Sequence, residues 1–165
     1  MRRAMIVGAV AALAAAFGAG TASAANVQVG LANCYFSHGG QATVPAGSTV
    51  TFFIGFVTVS QGAAKDFEKA QTTTASLNGS PVPNASSLFA APVFFPVHPR
   101  SYWVAPWFLS AGTLVNAGDQ TAVTSLQISL SRPVPAGYDP STQSVSTYPS
   151  GDLLPAGFGC TVTAT

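Results

Sequence analysis

The sequence predicts an all-β sandwich with one short helix, made for export from the cell. Three observations support this. Several segments alternate apolar and polar residues with the period of a half-buried strand. Only 7% of residues are charged, against about 25% in an average soluble domain. The chain also begins with an apolar segment typical of a leader. Abundant Thr, Ser, Gly and Pro suit a rigid extracellular β-protein with stiff loops.

Residues 1–24 have the three parts of a signal peptide. Arg2-Arg3 forms a basic start, an uncharged apolar run covers residues 4–17, and Ala22-Ser23-Ala24 supplies the small residues that cleavage requires. We therefore expect cleavage before Ala25 and a protein that is secreted or held at the cell envelope. The apolar run is shorter than the roughly 20 residues that span a membrane. An uncleaved anchor and a twin-arginine signal are alternatives that fit these residues less well.

The mature chain has the size and charge of one soluble domain. Removal of 24 from 165 residues leaves 141, and we expect residues 25–165 to form a single domain. Four cations and five carboxylates remain, a net charge of −1. Nucleic acid is excluded as a partner because there is no basic field. The expected partner is a protein or polysaccharide surface, without membrane insertion after cleavage and without a cofactor.

Cys34 and Cys160 are the only cysteines. In an oxidising compartment such a pair predicts a disulfide, which would connect the first strand region to the last. Closing so long a loop stabilises the fold by about 4–5 kcal/mol in the chain-entropy model. Neither cysteine has the spacing of a metal ligand, so a metal-binding or reactive thiol is the weaker alternative. Asn33 argues against lipid attachment to Cys34.

The first half of the mature chain predicts two strands and a helix. Residues 27–31 alternate as a strand and precede a Gly39-Gly40 turn, and residues 48–59 form a long central strand rich in β-branched and aromatic residues. Its apolar face carries Val50, Phe52, Ile54 and Phe56. Helix formers follow, and we expect a helix over about residues 62–70 to cross one end of the sandwich. Its charged residues are expected in solvent, with a docking site as the alternative.

The next segments predict a hairpin and two short strands. Residues 72–77 are Thr-rich, and Asn78-Gly79 is a strong hairpin signal, after which Pro81 and Pro83 restrict the partner to an edge. Asn78 and Asn84 also begin triplets that match glycosylation acceptors. Among the aromatic and proline residues that follow, we predict strands over 93–97 and 101–109, the second bent or bulged at Pro106.

The last third predicts two strands around a long loop. A turn-rich link bracketed by Gly112 and Gly118 precedes the clean alternation of residues 125–131, which Pro133 ends. Residues 133–157 have loop composition almost throughout. Residues 160–164 form the final strand.

The order of these parts resembles a known group. Val44-Pro45-Ala46-Gly47 precedes a long strand, an A-x-x-x-F-x-x-A-Q helix covers Ala63–Gln71, and a Trp-rich strand and a terminal Cys-Thr-Val-Thr-Ala follow. Together they resemble small secreted bacterial β-sandwich proteins with an immunoglobulin-like fold and no assigned activity. The resemblance implies that fold but no functional residue. In antibody domains a Trp follows the first Cys by little more than a dozen residues, whereas here Trp103 follows Cys34 by 69.

No catalytic or metal site is predicted. His38 and His98 are the only imidazoles, no G-x-S-x-G motif occurs, and the carboxylates lie in turn-like contexts or at helix positions that do not face each other. We therefore expect a non-enzymatic protein that binds or has a structural role at the cell envelope or outside the cell. An extracellular hydrolase with an unmarked site is an alternative.

The candidate binding residues are Tyr102, Trp103 and Trp107. Exposed aromatic side chains give a large contact area, and these three could form a platform for sugar rings or for an apolar partner. A carbohydrate-binding module is the alternative function that follows. In a regular strand Trp103 and Trp107 share one face and Tyr102 lies on the other. The competing interpretation is that these aromatics belong to the core.

Overall fold

Two β-sheets face each other in the computed structural model, which describes residues 25–97, 100–139 and 144–165. The predicted leader, residues 1–24, and His98 lie outside these ranges. The described part is mostly strand with two short α-helices, so the predicted all-β sandwich with a short helix is confirmed.

The elements follow one another along the chain as strands broken by two helices. The strands are β1 (Asn26–Gly30), β2 (Gln41–Val44), β3 (Ser48–Thr58), β4 (Gln71–Leu77), β5 (Ser80–Pro81), β6 (Val93–Val97), β7 (Arg100–Leu114), β8 (Gln120–Leu130), β9 (Val134–Asp139), β10 (Ser144–Tyr148), β11 (Gly151–Asp152) and β12 (Cys160–Ala164). The helices are α1 (Leu31–Ser37) and α2 (Gln61–Ala70), and a single 3-10 turn covers Ala85–Leu88.

The first sheet has the order β1-β3-β7-β6, and the second has the order β2-β12-β8-β4-β5, with β11 also paired to β8. The pairs β1–β3 and β2–β12 are parallel, and the other neighbours are antiparallel. Strands β9 and β10 form a separate antiparallel hairpin. The first sheet therefore ends at β6 on one side, and this edge strand positions the site described below.

The core lies between the inner faces of the two sheets. Strand β3 contributes the four apolar residues that its alternation predicts, Val50, Phe52, Ile54 and Phe56, all buried. Strand β12 contributes Val162, and β8 contributes Ile128, both with no exposed area. The close approach of the chain at Gly159 is part of this packing, because a Cβ there would clash with the Val123 carbonyl oxygen.

Helix α2 closes one end of the sandwich, as predicted. Ser60 caps its N-terminus by accepting a hydrogen bond from the Ala63 N–H at 3.1 Å. Phe67 is fully buried and stacks on Phe56 with ring centroids 4.5 Å apart. Tyr148 packs edge-on against both rings. The helix is thus fixed by a ring cluster rather than by its charged face.

The disulfide joins Cys34 on α1 to Cys160 on β12, with Cα atoms 5.9 Å apart, and this prediction is confirmed. Helix α1 itself was not predicted, and Leu31, expected at the end of a strand, is its first residue. Beside the disulfide, Tyr35 and Phe36 pack against Phe158. The bond and these rings hold a helix of seven residues that is too short to be stable alone.

The predicted bend or bulge of strand β7 at Pro106 is wrong. Pro106 lies opposite Gly55 in an uninterrupted register, and the irregularity falls near Gly112, which belongs to the strand rather than to a link. The Pro106 carbonyl accepts from the Ala90 N–H at 2.8 Å. The nitrogen and carbonyl of one strand residue point to the same side in the ladder. The missing N–H of Pro106 therefore faces away from β3 and interrupts none of its hydrogen bonds.

The predicted irregular stretch over residues 133–157 is also corrected, since it contains β9, β10 and β11. Val134 and Ala136 are buried while Pro135 between them is exposed, so the segment alternates despite its prolines. The Tyr148 hydroxyl donates to the Val57 carbonyl at 3.0 Å, which fixes this hairpin to β3. Burial raises the pKa of Tyr148 to about 12.

Candidate functional site

The three aromatic residues singled out in the sequence do not form one surface. Trp103 lies opposite Thr58 and Trp107 opposite Ile54, so the two tryptophans share the inner face of β7, as predicted, and Tyr102 lies on the other face. Trp107 has no exposed area, and its indole N–H donates to the Ala85 carbonyl at 2.8 Å. Trp107 is a core residue and cannot stack on a ligand.

Trp103 and Tyr102 are both partly buried, and each lies beside an exposed apolar side chain of β6. Phe94 lies opposite Trp103 and Phe95 opposite Tyr102. The Phe94 and Trp103 rings are 5.3 Å apart and inclined by 52°. The two rings therefore do not offer the flat platform that stacking on a sugar ring requires.

Strand β6 exposes three consecutive large apolar residues. The exposed fractions are 44% for Val93, 47% for Phe94 and 42% for Phe95. We call these three residues together with Tyr102 and Trp103 the hairpin patch. Phe94 and Trp103 lie on one face of the β6–β7 pair, whereas Val93, Phe95 and Tyr102 lie on the other. The patch therefore covers both faces of the sheet edge. Exposed apolar residues gathered on a sheet edge mark interaction sites more often than scattered ones do.

The stretch of chain that carries the patch is almost free of charge. Between Lys69 and Asp119 the sequence contains a single charged residue, Arg100. The side chains of β6 itself carry no hydrogen-bonding group. The side chains of β6 therefore suit an apolar surface.

Three of the described carboxylates outside the patch have structural partners. Asp66 pairs with Arg132 at 3.2 Å, Asp119 accepts from the Asn116 N–H at 2.8 Å, and Asp152 accepts from the Gln127 amide at 2.8 Å. Burial raises the pKa of Glu68 from its ordinary value, and the charge of Lys65 opposes this. In the part of the chain that the structure describes, no three His, Cys, Asp or Glu side chains lie together as a metal site would need.

His38 lines an open groove of about 470 Å³ between β1 and β2. The lining combines apolar residues such as Val27 and Ala42 with polar residues such as Gln28 and Asn33. His98, the other histidine, lies outside the described residues. A second groove of about 550 Å³ runs along β4 and the 3-10 turn and is lined by small side chains such as Thr74 and Ser87.

Strand β6 was predicted from the sequence, but its three exposed residues were not among the predicted binding residues. Their signal is the run Val-Phe-Phe without alternation, since a half-buried strand places a polar residue at every second position.

No helix among the described residues is long and apolar enough to cross a membrane. No family model matches the chain, and no curated protein and no solved structure matches it.

Proposed function

We propose that this chain is an exported, non-enzymatic binding protein whose hairpin patch contacts an apolar surface on a partner protein, outside the cell or at the cell envelope. The observation that carries the proposal is the exposure of Val93, Phe94 and Phe95 on an edge strand. Their burial against a partner would remove this apolar area from water, which is the main favourable term in protein association.

The chemistry of the patch favours a protein over a polysaccharide. Sugar recognition combines an aromatic platform with hydrogen-bonding groups, whereas Val93, Phe94 and Phe95 have apolar side chains only. Trp107, one of the three residues predicted to form a platform, lies in the core. The other two, Tyr102 and Trp103, lie on opposite faces of β7. The carbohydrate-binding alternative is therefore an outcome for the test rather than a second proposal.

The strand order supports the resemblance to immunoglobulin-like sandwich proteins. Labelled by chain order, the first sheet corresponds to strands A, B, E and D, and β12-β8-β4-β5 corresponds to G, F, C and C′ of a variable-type domain. Two features depart from that pattern. The disulfide joins α1 to β12 instead of strands B and F, and β1 runs parallel to β3.

Export is supported by the leader pattern and by the buried disulfide, since disulfides persist in oxidising compartments. Mass spectrometry of protein collected outside the cell should find Ala25 at the N-terminus. Thiol titration under denaturing conditions should find no free thiol. An intact residue 1 together with two free thiols in cytosolic protein would refute the export proposal.

The binding role is tested with envelope preparations of the producing organism. We expect the mature domain to be retained by the envelope, and we expect the triple variant Val93→Ser/Phe94→Ser/Phe95→Ser to be lost in the wash. The matched control is Val115→Ser/Val145→Ser, which removes side chains that are 65% and 52% exposed outside the patch. Protease treatment of the envelope should abolish retention.

Two results would overturn the binding proposal. Equal retention of the triple variant and the wild type would show that the patch does not bind. Retention that survives protease, yet is competed by envelope polysaccharide with a shift of Trp emission, would favour the carbohydrate-binding alternative.

A further inference from the structure

We propose that the occupant of the hairpin patch is a second copy of this chain, paired antiparallel along β6 with Phe94 opposite the second copy's Phe94. This inference rests on the proposed binding role of the patch and names the partner. Pairing would join the two four-stranded sheets into one sheet of eight strands.

The orientation of the β6 backbone follows from a hydrogen bond next to it. Because the Pro106 carbonyl accepts from Ala90, Pro106 faces the β6 side of β7, and alternation makes Val104 and Tyr102 face the same way. Their partners Val93 and Phe95 therefore face β7. It follows that the N–H and the carbonyl of Phe94 face the side of β6 away from β7, where no other described strand pairs with it.

A proline selects the register of pairing at this edge. Within β6, alternation makes Phe94 and Pro96 face away from β7, and Pro96 offers no donor. If Phe94 paired with the second copy's Pro96, the proline ring would occupy the position of the returning donor. When Phe94 lies opposite the second copy's Phe94, each Phe94 N–H donates a hydrogen bond to the Phe94 carbonyl of the other copy.

This register gives each exposed apolar residue of β6 a matching neighbour. Phe94 meets the second copy's Phe94 on one face, and Val93 meets the second copy's Phe95 on the other. Aromatic pairs and aromatic–β-branched pairs are among the favourable cross-strand combinations. No charged residue lies in β6, so the surface does not repel its own copy, as a two-fold interface requires.

The area available makes the dimer weak. At these exposed fractions, the three side chains present on the order of 200–250 Å² per copy, given the size of a Phe side chain. A standard stable interface buries about 800 Å² per partner. We therefore expect association that depends on concentration rather than a permanent dimer.

Single-cysteine variants test the register under oxidising conditions. Directly opposed residues of a hydrogen-bonded pair have Cα atoms about 5.5 Å apart, which a disulfide can bridge. Phe94→Cys should therefore form a covalent dimer. Val93→Cys alone should not, since its counterpart lies diagonally, about 7–8 Å away. A mixture of Val93→Cys and Phe95→Cys should form the mixed dimer.

Val115→Cys, at a side chain that is 65% exposed outside the patch, is the control for random collision. Sedimentation velocity of the wild-type mature domain should show the average mass rising toward that of a dimer between about 10 µM and 1 mM, as expected for weak association. Phe94→Pro should abolish this rise without breaking the β6–β7 ladder, because the N–H that it removes faces outward.

The outcomes separate this proposal from the binding role on which it rests. A wild type that stays monomeric, with no Phe94→Cys dimer, overturns the second copy as occupant. Patch-dependent retention by the envelope would in that case uphold the binding role alone. Loss of both results overturns both proposals. Cross-linking of Val93→Cys as efficiently as Phe94→Cys overturns the proposed register.

Discussion

Strands β3 and β6 belong to the same sheet and have similar residues, yet they meet opposite environments. Strand β3 pairs with β1 and β7 and buries every second residue, including Phe52 and Ile54. Strand β6 pairs with β7 alone among the named strands and exposes Val93, Phe94 and Phe95. Apolar side chains thus stabilise this fold where the second sheet covers them, and at the edge they are left for another surface.

The largest effect on stability should come from removing the disulfide that joins α1 to β12. The double variant Cys34→Ala/Cys160→Ala should lower the free energy of unfolding by about 4–5 kcal/mol, because residues 126 positions apart lose their cross-link. Urea denaturation measures this loss. Wild type in strong reductant is the control and should match the variant. A loss under about 1 kcal/mol would contradict the expectation.

The two tryptophans of β7 sharpen the comparison within one strand. Trp107→Ala should cost about 3–5 kcal/mol, since it empties a fully buried site and leaves the Ala85 carbonyl without its donor. Trp103→Ala should cost less, because Trp103 is only partly buried at the β6 end. The measurement is the urea midpoint at an unchanged slope. Equal losses would place Trp103 in the core as well.

Tyr148 predicts how the covered region responds to alkaline pH. Its folded-state pKa of about 12 exceeds the ordinary value near 10, so the unfolded state loses its proton first. The stabilising contribution is complete below pH 10 and falls as pH rises from 10 to 12, by up to about 2–3 kcal/mol.

Unfolding of wild type and Tyr148→Phe, followed from pH 8 to 12, isolates this effect. The variant should lose about 1 kcal/mol at neutral pH with its hydrogen bond to Val57. The difference between the two proteins should then shrink and reverse as the pH rises. A difference that does not change with pH would show that Tyr148 ionises freely in the folded protein.

Strand β3, helix α2 and the disulfide could be predicted because their signals are local or forced. Period-two alternation fixed the buried face of β3, helix formers with Phe67 marked α2, and two cysteines allow only one pairing. Helix α1 could not be predicted, since Tyr35 and Phe36 are ordered by Phe158 and by the disulfide from the far end of the chain.

The β9–β10 hairpin and the patch escaped prediction for a related reason. Pro133 and Pro135 suggested a loop at the start of β9, because the sequence does not reveal that Pro135 faces solvent while its neighbours Val134 and Ala136 are buried. The edge position of β6 depends on the order of strands in the sheet, which no local pattern carries. Trp107 was a candidate binding residue for the same reason, because its burial depends on the second sheet and on Ala85.

The smallest effect on stability, and the clearest separation of the two strands, should come from the patch. Serine at Val93, Phe94 or Phe95 should each change the free energy of unfolding by no more than about 0.5 kcal/mol, as expected for exposed positions. Phe52→Ser on β3 should cost several kcal/mol, since it leaves a hydroxyl in a cavity of the core. Urea denaturation compares them. If the β6 variants lost as much free energy of unfolding as Phe52→Ser, the patch would be part of the core and unavailable to a partner. Unchanged stability together with lost retention by the envelope would assign β6 to binding alone.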